Sequence, residues 1–124
     1  MNRDVVLLDT QHARIFRLGT GVGPENLRFG HPDHHTHRQT HEDKESIHFY
    51  AEVATHLRDA DEILVVGHGI AKTHFHTFLA QHEAVMAKKV VGYETVDHPT
   101  DGQIVALAIR YFRRVETTRA ERGA

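Results

Sequence analysis

The sequence predicts a single α/β domain: a mixed five-stranded sheet with helices packed on its faces, in the order β-β-β-α-β-α-β-α. Three observations lead to that class. The 124-residue chain has the length of one ordinary domain, enough to bury a single core. Its first third alternates with the period of two that marks strands, and from Thr40 onward helical periods alternate with short apolar runs. Two strands that are each followed by a helix then imply right-handed parallel pairing beside an antiparallel first section.

Val5 to Leu8 is a β-branched and apolar run ended by Asp9-Thr10-Gln11, and Ala13 to Leu18 alternates until Gly19 to Pro24 breaks it, which reads as a hairpin. A third short strand is expected from Glu25 to Phe29, where Leu27 and Phe29 alternate with polar neighbours. From Thr40 to Asp59 the period becomes helical, and Ile47, Tyr50, Val53, Ala54 and Leu57 gather on one face. Glu62 to Val66 reads as a buried strand closed by Gly67-His68-Gly69, and Ala71, Phe75, Phe78 and Leu79 repeat at helical spacing after it. Lys88 to Val96 is expected to be the last strand. The spacing Thr100-x-x-Gln103 then forms a capping box ahead of a stripe of Ile104, Val105, Ala108, Tyr111, Phe112 and Val115. Residues 1–115 make up the domain in this reading, and 116–124 form a polar tail expected to fray.

Composition narrows the function classes. No apolar run is long enough to span a bilayer, and Met1 to Asp9 lacks the pattern of a secretory leader, so the expectation is a cytoplasmic protein without a membrane partner. The absence of cysteine removes disulfides, thiolate catalysis and cysteine-based zinc sites. A formal charge of −2 gives no global basic field, so DNA is not expected as a partner, and RNA contact requires a local patch. The 13 histidines make the charge conditional on pH, because an unperturbed imidazole titrates near ~6.5.

The histidines concentrate in one segment. His31 to Glu42 holds five imidazoles and two carboxylates in twelve residues, a donor set suited to zinc, copper or nickel. On a helical wheel His41, Glu45, His48, Glu52 and His56 share the face opposite the apolar stripe, where neighbours at i, i+3 or i, i+4 can share a metal or form ion pairs. Solvated polar faces have the same composition, and the HExxH spacing of zinc proteases is absent. The segment is alternatively a binding loop whose imidazoles and Arg38 touch phosphates and bases.

Two further places carry chemistry-bearing residues. Gly67-His68-Gly69 sits where a strand meets a helix amino terminus, with Lys72 one turn in, a position that favours anions as well as one that glycine simply permits. His74 is expected beside the apolar stripe of that helix, His76 toward solvent, and His82 packed on the apolar side. Asp97-His98-Pro99-Thr100-Asp101 offers an acid/base pair, although turn formation and capping also account for it. No nucleophile stands out, so no Ser/His/Asp relay is assigned and the catalytic residues are unknown.

Several of these segments resemble the central domain of the archaeo-eukaryotic release factor and Pelota superfamily, with its bacterial release-factor-like and host-attachment-protein-like relatives. Ala13-Arg14-Ile15-Phe16 resembles that domain's second-strand signature, and Ile63 to Phe75 is similar to its strand followed by Gly-Pro-Gly-x-x-Lys-x-x-Phe, with His68 in place of the proline. His48 to Ala54 resembles the first-helix motif, and Val90-Val91-Gly92 the next strand.

The resemblance implies an RNase H-like sheet and a translation-related role on the ribosome or tRNA, in stress or hibernation for example, by a non-catalytic or weakly catalytic protein. The family's Gly-Gly-Gln motif would fall in the loop His31 to His41, which has Gln39 but no glycine pair. The RNA-binding candidates are accordingly His34, His35, His37, Arg38, Gln39, Gly67, His68, Gly69 and Lys72. No cofactor is expected in that reading. The alternative is a metal-binding protein or metal-dependent hydrolase holding zinc or another divalent transition metal on His34, His35, His37, His41, Glu45 and His48. A homodimer through the exposed edge of the first sheet is a third expectation.

Overall fold

A computed structural model of the protein describes residues 1–28 and 44–123. The first strands are β1 (Arg3–Leu8), β2 (His12–Arg17) and β3 (Glu25–Arg28), followed by helix α1 (Lys44–His56). Strand β4 (Glu62–Gly67), helix α2 (Ala71–His82), a one-turn helix α3 (Ala84–Ala87), strand β5 (Val90–Thr95) and helix α4 (Asp101–Gly123) complete the chain. Apart from α3, the order is the one the periodicity predicts. Phe29 and residues 40–43, expected at the ends of β3 and α1, lie outside the described residues.

The sheet runs β3-β2-β1-β4-β5. β1, β2 and β3 pair antiparallel, whereas β4 and β5 continue the sheet parallel to β1. This open mixed sheet has the RNase H-like arrangement. The hairpin between β1 and β2 is closed by Asp9, whose Oδ1 accepts the backbone N–H groups of Gln11 (2.7 Å) and His12 (2.6 Å).

Central strands covered on both faces must be apolar on both faces, and β1 and β4 follow that rule. Val6, Leu8, Ile63 and Val65 point to one side and pack with Phe49, Tyr50 and Val53 of α1, with Leu57 just after it, and with Phe75 and Leu79 of α2. Val5, Leu64 and Val66 point to the other side and pack with Ile104, Ala108 and Phe112 of α4. Each such aliphatic side chain contributes roughly 1.5–3 kcal/mol on full burial, so the sheet is held chiefly by its two faces. Gly67 ends β4 where a Cβ would collide with the Leu8 carbonyl oxygen, which fixes glycine at that position. The edge strand β3 is four residues long and carries Glu25, Asn26 and Arg28, features that discourage pairing along that edge.

The capping box forms as read. Thr100 donates its N–H to Gln103 Oε1 (2.9 Å), and Gln103 N–H donates to Thr100 Oγ1 (3.1 Å). The tail is helical. α4 continues through Gly123, and the charges that make residues 116–123 look like a loose tail are what dock it. Arg3 Nη1 reaches Glu116 (2.5 Å), and Arg119 Nη2 reaches Glu62 (2.5 Å). Among the described residues no helix is long and apolar enough to cross a membrane.

Candidate functional site

The parallel strands bring their carboxyl ends, Leu8, Gly67 and Thr95, to one rim. The antiparallel strands add to it: His12 starts β2 opposite Arg28, the last residue of β3. Helix α1 runs the other way. Its last residue, His56, accepts a hydrogen bond through its carbonyl from Arg17 Nη2 (2.7 Å) at the opposite rim, where Arg17 pairs with Asp4. Thirteen residues of helix cover about 20 Å, roughly the length of a six-residue strand, so Lys44 lies toward the carboxyl rim. Arg28 and Lys44, the described residues flanking the histidine-rich segment, thus both stand at the rim where β1, β4 and β5 end.

Open α/β sheets assemble their ligand-binding loops at the carboxyl ends of parallel strands. Here a cleft of about 460 Å³ opens there, lined by Leu7, Leu8 and Asp9 from the end of β1, His68 from the β4–α2 turn, and Val96, His98 and Pro99 from the segment after β5. The last two segments are tied together, with Val96 N–H donating to the Gly67 carbonyl (2.9 Å). The imidazoles of His68 and His98 meet edge to face with centroids 5.7 Å apart, and His98 Nε2 is 3.5 Å from Asp97 Oδ1. The donor atoms of His68, Asp97 and His98 all lie within 4.8 Å of one another, and all three side chains are exposed. His98 holds a φ of 43°, in the left-handed region that costs a non-glycine residue energy.

The glycine turn has a structural explanation of its own. Gly69 adopts a φ of 83°, and Lys72 folds back so that Nζ donates to the carbonyls of Gly67 (3.1 Å) and Gly69 (3.2 Å). That leaves the ammonium one N–H for any outside acceptor. Helix α2 starts without a side-chain cap. His74 is buried, His76 is exposed with its ring edge-on to Tyr93, and His82 is exposed rather than packed inside, leaning on Phe78 at 5.1 Å.

The candidates His34, His35, His37, Arg38, Gln39 and His41 lie outside the described residues. Of the expected outward stripe on α1, His48 and Glu52 are exposed and Glu45 is half-buried. His56 turns back to the sheet, where Nδ1 pairs with Glu25, which also holds Arg17 at 2.9 Å. Two features were not visible as such in the sequence. One is that the Gly67-His68-Gly69 and Asp97-His98 turns face each other. The other is a basic strip of exposed Arg110, Arg113 and Arg114 on α4, whose i, i+3, i+4 spacing is a readable signal that the near-neutral total charge hides.

A five-stranded mixed sheet in this order, with one rim gathering the loops, defines the class as a Pelota-like α/β fold. Pelota from Archaeoglobus fulgidus is similar over 88% of this chain and 31% of its own, with a TM-score of 0.60 and 22% identity. A solved structure described as an archaeal protein is similar over 99% of this chain and 41% of its own, with a TM-score of 0.53 and 12% identity. The chain therefore spans well under half the length of either. No protein-family model and no curated protein sequence matches it. Identities this low establish the shared fold and leave function to be argued separately.

Proposed function

We propose that this chain is a release-factor-central-domain-like module that associates with the ribosome or tRNA in a translation-related role, without Gly-Gly-Gln peptide release. The observation that carries the reading is the likeness to Pelota over 88% of the chain. Its support is the geometry of the flanks, since Arg28 and Lys44 tether the segment containing His34, His35, His37, Arg38 and Gln39 to the rim that also bears His68. Neutral imidazoles stack on bases and accept or donate single hydrogen bonds, and Arg38 pairs with phosphate, which together supply contact without a reacting group. The third N–H of Lys72 adds a phosphate donor beside the turn.

The test is co-sedimentation with ribosomes from growing, stressed and stationary cells. The reading expects enrichment in the ribosomal fraction in at least one state, released by salt because phosphate contacts displace counterions. Absence of the protein from that fraction in all three states overturns it.

A further inference from the structure

We propose that His68, Asp97 and His98 form a binding site for a divalent transition metal ion at the mouth of the cleft, separate from any metal held by the histidine-rich segment. Two imidazoles and one carboxylate are a borderline donor set that favours zinc, nickel or copper over magnesium or calcium. The spacing suits one ion. Ligand atoms around a tetrahedral zinc stand about 3.3 Å apart, given bonds near 2.0 Å. His98 Nε2 and Asp97 Oδ1 already stand 3.5 Å apart, and the whole set lies within 4.8 Å. Two imidazoles on one tetrahedral ion have centroids roughly 5 Å apart, close to the 5.7 Å between His68 and His98.

The backbone supports the same assignment. Exposed side chains close the remaining gap by rotation, without moving the sheet, and the Val96–Gly67 hydrogen bond holds the two contributing turns in place. His98 keeps a left-handed backbone although asparagine or glycine would adopt it at less cost, which places an imidazole beside Asp97 facing His68. Three protein ligands leave a tetrahedral ion one open position, and the neighbouring cleft of about 460 Å³ is the space an outside oxygen donor or water would occupy.

Titration calorimetry with zinc alone tests the site, using the full chain with His34, His35, His37 and His41 changed to alanine to remove competing imidazoles. That protein is expected to bind one equivalent, and His68→Ala or His98→Asn in the same background is expected to weaken binding roughly tenfold or more. Asparagine at 98 retains tolerance of the left-handed backbone. All three sites are exposed, and an unchanged far-ultraviolet circular dichroism spectrum verifies the fold. Failure of the background protein to bind zinc overturns the proposal, as does a loss smaller than about tenfold in both variants. The outcome is independent of ribosome association, which is read by sedimentation.

Discussion

Arg3 and Glu62 stand side by side on the neighbouring parallel strands β1 and β4, with Arg3 Nε donating to Glu62 Oε1 at 2.9 Å. Glu62 is buried and also receives Arg119 from α4, while Arg3 extends to Glu116 and places its guanidinium over the Phe112 ring, 5.3 Å from its centroid. One carboxylate thus links β1, β4 and the last helix. Glu62→Gln is expected to lower stability by about 1–3 kcal/mol, since two guanidinium groups lose a buried partner. Amide exchange in the last turns of α4 should accelerate with it. Arg119→Ala, at an exposed position, should cost under about 1 kcal/mol. Equal losses in urea denaturation of the two variants would contradict this account.

Burial raises the Asp4 carboxyl from its ordinary 3.8 to about 6, against the opposing pull of Arg17. A carboxyl with a raised folded-state pKa binds its proton more tightly when folded. Its contribution is therefore fully favourable below about pH 4 and is lost as pH rises through about 6. Asp4→Asn should accordingly be more stable than the parent at pH 7 by roughly 1–3 kcal/mol, with the difference shrinking toward pH 4. Denaturation midpoints at the two pH values check it, and a parent that is the more stable form at pH 7 would count against it.

Gly67 and Gly69 occupy one turn for different reasons. The first is bound by contact with the Leu8 carbonyl and the second by its positive φ, with open space around it. Gly67→Ala is expected to cost about 2–3 kcal/mol, because β1 must shift, and Gly69→Ala about 1–2 kcal/mol. Thermal unfolding should rank the two in that order.

The reciprocal cap at the start of α4 predicts that Thr100→Ala costs about 1 kcal/mol, whereas Thr100→Ser is nearly neutral. Paired melting curves of the two variants provide the comparison.

The sheet was legible because its signals are local. The run Ile63 to Val66 is apolar on every residue, as a strand covered on both faces must be, and the Thr100-x-x-Gln103 spacing states its own hydrogen bonds. Residues 116–123 do not show their helix in the sequence for the converse reason. A helix held by ion pairs to Arg3 and Glu62 looks polar and loose until partners more than 50 positions away are known. His82 shows a similar limit, since a wheel position on the apolar side does not reveal that the buried face of α2 ends at Phe78 and Leu79. His68 and His98 each stand at a turn that the sequence marks, but only parallel pairing of β4 with β5 brings the turns together.

The central claim, that this Pelota-like fold works on translation RNA, is tested most directly by titrating purified 70S or 80S ribosomes and bulk tRNA with the purified chain. The parallel titration uses the His34/His35/His37/Arg38→Ala variant. The account predicts saturable binding that weakens as salt rises and falls roughly tenfold or more in the variant. Binding to neither RNA species at low salt, or equal binding by parent and variant, would contradict it.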